Sequence, residues 1–293
     1  MPMKKKRIQF FDVIVYTLAF LMLCVVAYPL ILVLSSSISN PQLVATGKIT
    51  LLPKDITFAG YTSILKNKDL LIGFANSVFY TVLGTLFDLI VTVPAGYVLS
   101  KTDVPGHKFF TVFFLITMYF SGGIIPSFLL VRSLGLYNSR LTLIILGAFN
   151  MYNCIICRSF FSSIPKEMGE AAAIDGCSVI GTFTQIILPL SKALLCVMVL
   201  YFAVYHWNSY FDAMIYIKDD SKQTLQVFLR RILVLAQQQA EMDEAAGYAQ
   251  AMSDYEALLR YAVIVVSSLP LLITYPFVQK YFDKGVMLGS VKG

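Results

Sequence analysis

The chain has 293 residues, of which 57% are hydrophobic and only 14% charged, and it carries a formal net charge of +6. Its mean hydropathy is +0.72. A soluble domain carries nearer a quarter charged residues, so the composition excludes an ordinary water-soluble globule and places the chain in the membrane class, while the modest charge gives no argument for nucleic acid.

Met1 to Arg7 opens with Lys4, Lys5, Lys6 and Arg7, and Phe11 to Leu34 is then apolar for about 24 residues. That run is too long for the apolar region of a secretory leader and lacks an A-x-A site, so it reads as an uncleaved first span behind a cytoplasmic tail, residues 1–10. Ser35 to Gly73 is polar and contains Pro and Gly. Further spans are predicted at Phe74–Leu99, Phe109–Val131, Leu141–Phe160, Leu190–Ile217 and Tyr261–Gln279, each near or above the roughly 20 residues a bilayer requires. The expectation is an all-α, six-span domain over residues 11–284, followed by a cytoplasmic tail at 285–293. Both termini then share a side with the connector between spans four and five. Pro94, Pro126, Pro270 and Pro276, with Ser121-Gly122-Gly123 in span three, are read as interruptions that bend helices around a pathway.

The connector, Ile164 to Leu190, reads IPKEMGEAAAIDGCSVIGTFTQIILPL and resembles soluble helix between two apolar segments. Ser163 is expected to cap it, Pro165 to sit in the first turn, and Glu167 and Glu170 to favour the positive helix end. Met168, Ala171, Ala172 and Ile174 form a small apolar face, and Gly176 stops the helix. About eleven residues give a rod of roughly 16 Å, too short for a span. A second short helix is expected from about Val179 to Leu188, ending at Pro189. Such an elbow, with small side chains and carboxylates, suits a groove on another protein.

EAAAIDG followed at the right distance by ILPL resembles the EAA loop of the permease subunits of binding-protein-dependent ABC importers. The resemblance implies a coupling helix, with Glu167, Glu170, Ala171, Ala172, Ala173, Asp175 and Gly176 meeting a cytosolic ATPase. Ala75-Asn76-Ser77, GYVLSK from Gly96, and VQKYFDKGVMLGSVKG from Val278 resemble the carbohydrate branch of that family, closest to the maltose-type second permease subunit. FSGGIIPSFLLVRSLGLYNS, from Phe120, further resembles a subgroup for complex polysaccharides, with permeases for alginate and pectin-derived oligosaccharides. The resemblance implies a multi-pass protein of the bacterial inner membrane. Its partners would be a homologous second permease, two ATPase subunits and an extracytoplasmic solute-binding protein. It would bind no cofactor itself, with ATP and Mg held by the ATPase. The tail Gly289-Ser290-Val291-Lys292-Gly293 would reach between the ATPases. The expected cargo is an oligosaccharide containing uronate, with alginate placed first.

No G-x-x-x-x-G-K-[ST], H-E-x-x-H or G-x-S-x-G occurs, which argues for a non-catalytic subunit without a metal. The five cysteines, Cys24, Cys154, Cys157, Cys177 and Cys196, fall in apolar stretches or in the elbow and imply no disulfide framework. Cys154 and Cys157 read as buried small residues. His107 reads as a solvated turn residue. Asp88 lies inside span two with no evident basic partner and is read as an interior hydrogen-bonding group rather than a proton relay. His206, Trp207, Asn208, Tyr210 and Asp212 form a polar-aromatic cluster late in span five, suited either to stacking on sugar rings or to an interfacial belt, with Tyr119 as a companion. Between Lys218 and Arg260, LQVFLRRILVLAQQQ predicts an amphipathic helix whose Arg230 and Arg231 either meet the binding protein, as in maltose-type relatives, or lie on the membrane surface. A gradient-driven secondary transporter is the rival reading. It would show charged pairs within its spans, and the sequence displays none.

Overall fold

The computed structural model describes residues 10–234, 259–276 and 279, and these are helical with connecting turns. The chain divides into two compact units, residues 1–68 with 229–268, and residues 69–228 with 269–293.

In the first unit, α1 (Phe10–Ser37) is a single helix whose apolar stretch has no buried residue. Its polar end is tied into a small knot. Ser35 Oγ donates to Leu51 O (2.6 Å), Ser37 Oγ meets Tyr61 OH (2.8 Å) and Lys54 N donates to Ser39 Oγ (3.1 Å). Asn40 caps α2 (Pro41–Ala45) by accepting from Gln42 N, with Pro41 in the first turn where its missing N–H costs nothing. The short helix α3 (Ala59–Lys66) follows.

The second unit is organised on α4 (Lys68–Ser100), 33 residues long. Pro94 lies inside this helix without ending it, which corrects its reading as an interruption. On the first half of α4, Asn76 Nδ2 donates to the carbonyls of Ser221 (2.9 Å) and Gln223 (3.0 Å), Tyr80 OH donates to Lys222 O (2.8 Å), and Ser77 Oγ accepts from Leu225 N (2.9 Å). On the second half, Thr92 Oγ1 donates to Ala148 O (3.2 Å) and Gly96 lets the backbone come close against Cys157. Val93, Tyr97, Cys157, Phe161, Leu194 and Met198 belong to one buried cluster there. The polar end of α4 therefore holds one segment by directional bonds, and the other end holds helices by apolar packing.

Three described helices are long and apolar enough to cross a membrane: Phe11–Ser37, Lys68–Ser100 and Leu259–Pro276. Up to five are reached if each sharply bent pair is one span. Span three is not continuous. It consists of α5 (His107–Tyr119) and α6 (Ile124–Ser133), bent by 115° at the Ser121-Gly122-Gly123 break, where Gly123 has φ +88°. Pro126 sits in the first turn of α6 and so accompanies the start of a helix rather than interrupting one. Span four is likewise two pieces, α7 (Arg140–Ile145) and α8 (Met151–Ser162), the second capped by Asn150 Oδ1 accepting from Tyr152 N (2.9 Å).

Candidate functional site

The elbow begins later than the sequence suggests. Ser163 does not cap it: its hydroxyl turns back to Phe160 O (2.7 Å) and closes α8. The elbow's first helix, α9, is Glu167–Ile174, eight residues or roughly 12 Å, with Lys166 at the N-cap and Glu167 and Glu170 in the first turn. Its end is a glycine-terminated double hydrogen bond. Gly176, at φ +78°, donates to Ala173 O (3.1 Å), and Cys177 N donates to Ala172 O (2.9 Å). Ser178 Oγ then accepts from Gly181 N (3.1 Å) and opens the second helix, α10 (Val179–Leu190). Residues Thr182–Ile187 are wound as π-helix, and the helix passes through Pro189 to Leu190 instead of ending at the proline.

One face of this elbow is open. Glu167, Glu170, Ala171, Ala173, Asp175 and Gly176 are exposed, and so are Ile174 (87%), Val179 (78%) and Ile180 (76%). Ala172 is turned the other way and is buried in its own chain, so it belongs to the elbow's seat and not to its outward face. The seat is aromatic. Tyr97 of α4 lies 4.8 Å from Phe183 and edge-on to Phe161 at 5.6 Å, and Lys101 Nζ sits 5.3 Å over the Tyr97 ring. From the elbow the chain turns by 84° into α11 (Lys192–Trp207), with the fully buried Ser191 donating to Ile187 O (2.7 Å) at the corner.

The residues read as a sugar path separate into two groups. Tyr119 is 83% exposed at the break between α5 and α6. Asn208 is exposed just past α11, its side chain donating to Val204 O (2.9 Å), and Tyr210 is half-buried with its OH on Met214 Sδ (3.0 Å). His206 and Trp207 are covered by the chain itself. The Trp207 ring meets Phe74 edge-on at 5.7 Å, and His206 Nε2 lies 2.9 Å from Asp88 Oδ2. Asp88 thus has an imidazole partner, correcting the reading of an isolated acid. Positions 88 and 206 share a contact across 118 residues, which no spacing rule exposes.

Beyond α11 come α12 (Phe211–Tyr216) and segment 218–228. Asn138, at φ +60°, organises it: Oδ1 accepts from Lys218 N (3.1 Å) and Asp219 N (3.0 Å), and its carbonyl accepts from Lys222 Nζ (3.1 Å). The hydroxyl and N–H of Ser221 hold the Asp219 carboxyl below its usual range. Arg230 and Arg231 are exposed on the helix 225–234. The rest of the loop, residues 235–258, and the tail from Gly289 to Gly293 lie outside the described residues.

Residues 70–288 match the family of binding-protein-dependent transport system inner membrane components. The chain belongs to this family. Among its relatives, a polygalacturonan/rhamnogalacturonan transport system permease protein, YtcP of Bacillus subtilis, is 38% identical over 97% of this chain and 99% of its own. Protein LplC of the same organism is 38% identical over 90% of this chain and 89% of its own. A chain in the crystal structure of a bacterial ABC transporter involved in the import of the acidic polysaccharide alginate superposes with a TM-score of 0.84 at 35% identity, covering 96% of this chain and all of that one. Membership makes the chain an inner membrane component of a binding-protein-dependent transport system. Besides the Asp88–His206 contact, the sequence did not by itself reveal Val179 and Ile180 as extending the exposed patch of Ile174, the Ser178 cap, or the bonds of Asn138 to segment 218–222. A serine just before Val179 and an asparagine after Tyr137 were the available signals for the last two.

Proposed function

We propose that the chain is the permease subunit of an ATP-driven importer for a uronate-containing oligosaccharide, with the elbow facing the cytosol as its coupling element. The carrying observation is the elbow itself: an open face of carboxylates, alanines and isoleucines mounted on a buried aromatic seat. An exposed apolar patch rimmed by charge is the mark of a protein partner. In this reading the partner is one of two ATPases, which hold ATP and Mg. A second permease closes the pathway and a solute-binding protein docks on the other side of the membrane near segment 218–228, with Arg230 and Arg231 as separate candidates for that contact. Closure of the ATPases pulls the elbows together, and rigid-body rotation re-aims the cavity. Glu167, Glu170, Ala171, Ala173, Asp175 and Gly176 transmit force, while Tyr119, Asn208 and Tyr210 offer surfaces to the cargo. Both the polygalacturonan relative and the alginate neighbour handle acidic polysaccharides by name, which supports a uronate cargo. Alginate is our first choice.

The Asp88–His206 pair is the observation that a gradient-driven transporter would claim. Membership of a binding-protein-dependent family argues for ATP instead. The test is uptake by proteoliposomes holding the complete complex, with labelled oligomannuronate, oligogalacturonate and maltotriose as cargo. ATP-dependent uptake of an oligouronate is expected. Uptake that follows an imposed ion gradient without ATP would remove the proposal, and preference for maltotriose would remove the uronate assignment.

A further inference from the structure

The elbow joins one end of α11, and His206 lies in its last turn at the other, so a sixteen-residue rod of roughly 24 Å connects them. The same helix, α4, holds both ends. Near its second end Tyr97 packs on Phe183 of the elbow, and further back Asp88 bonds His206. Between these points the contact is apolar, through Val93, Leu194, Met198 and Phe202. Apolar contact is non-directional, so a small slip of one helix along another breaks no particular bond. A hydrogen bond between two buried side chains allows no such slip. The sequence also makes room for this bond: a Cβ at Gly84, one helical turn before Asp88, would occupy the space of the His206 ring.

Stability alone does not account for the arrangement. Both side chains are 1% exposed, and Asp88 Oδ1 is buried with no hydrogen-bond partner. A well-packed apolar pair is commonly as stable as a buried polar one, or more so. What a polar pair adds is a fixed register. Just beyond His206, Thr224 Oγ1 donates to Ser209 O (2.9 Å), and the chain enters the segment that Asn76, Ser77 and Tyr80 bind to α4.

We infer that Asp88 and His206 are positioning residues, a pin that fixes the far end of α11 to α4 so that displacement of the elbow reaches segment 218–228 instead of being lost as sliding between helices. The inference rests on the coupling role proposed above for the elbow. It predicts that signals crossing the protein in either direction depend on the pin. Docking of the binding protein near segment 218–228 then stimulates the ATPases only while the pin holds.

The experiment compares basal and binding-protein-stimulated ATP hydrolysis by the complete complex in nanodiscs, with the binding protein added as purified. In His206→Ala the ratio of stimulated to basal rate should fall to unity while assembly and basal hydrolysis persist. Asp88→Asn retains a group that hydrogen-bonds the imidazole and should keep the ratio of the parent. Should His206→Ala fail to assemble, the apolar double variant Asp88→Leu/His206→Phe decides, since it restores packing without the bond. A ratio at unity in that variant supports the pin. A parental ratio in either bond-deleting variant overturns it, as does a ratio lost in an assembled Asp88→Asn complex. If neither bond-deleting variant assembles, the pair serves folding and the pin is also overturned. A parent complex whose hydrolysis never responds to the binding protein counts against the coupling reading itself, which separates the two failures.

Discussion

Gly176 stands at φ +78° with nothing within 4 Å of the position a Cβ would take, so its constraint is conformational and not steric. A side chain there costs about 1–2 kcal/mol for the left-handed backbone. Gly176→Pro additionally deletes the N–H that bonds Ala173 O and cannot adopt this φ at all. The expected outcome is graded: Gly176→Ala lowers transport per ATP hydrolysed modestly, and Gly176→Pro abolishes transport while membrane insertion persists. Transport at the parental level in the proline variant would remove the elbow from the coupling path. Gly84 presents the opposite case, an ordinary helical position where space alone decides. Gly84→Ala forces the His206 ring aside, at about 1–3 kcal/mol for overpacking, and should lower the Tm of the purified protein. Gly169→Ala, whose Cβ would meet only the mobile end of Lys101 at 3.7 Å, should leave Tm unchanged or raise it, because alanine favours a helix interior. Equal Tm losses in the two variants would show that the imidazole does not occupy the space opened at Gly84.

At the scale of elements, the elbow separates residues that seat it from residues it presents. Ala172 and the Tyr97–Phe183–Phe161 stack face inward, whereas Ile174, Val179 and Ile180 face out. Ile180→Asp should therefore leave Tm and insertion unaltered and abolish co-purification of the proposed ATPase partners. A drop in Tm without loss of the ATPases would mean that Ile180 packs within its own chain. The division was only half legible in the sequence. Run length showed where apolar helices lie, and the Glu-Ala-Ala and Asp-Gly residues located the elbow. Eight residues make little more than two helical turns, however, and so short a periodicity could not say whether Ala171 or Ala172 faces inward. The break at Ser121-Gly122-Gly123 was readable because successive small residues leave no side chain to hold a helix. The break before α8 leaves only local marks, Gly147 at φ +85° and the Asn150 cap, inside a run long enough to read as one span. Pro94 misled in the other direction: a proline in a long apolar helix can be carried when neighbours supply the packing. The Asp88–His206 contact joins distant helices and is a property of packing, invisible to any window along the chain.

For the molecule as a whole, the two long helices near the start of the chain answer the bilayer differently. The apolar stretch of α1 is exposed on every side, whereas α4 buries a polar column of Ser77, Thr85, Asp88 and Thr92 and exposes Val82, Leu86 and Ile90. A helix that is apolar all round is satisfied by lipid in any rotation, and a two-faced one is not. A photoactivated apolar probe dissolved in the bilayer should therefore label α1 of the reconstituted chain around its whole circumference. In α4 it should label Val82, Leu86 and Ile90 and spare Thr85, Asp88 and Thr92. Labelling at Asp88 or Thr92 would mean that α4 turns its polar column outward, and the packing of α4 against α11 would then be wrong at its centre. Repeating the labelling after assembly with the second permease proposed above tests its seam. Positions of α1 that become protected have exchanged lipid for protein, and those that stay labelled mark the outer wall of the transporter. A set of protected positions recurring every three to four residues would identify α1 as one seam of the proposed heterodimer. Uniform labelling in the assembly would assign α1 to anchoring alone.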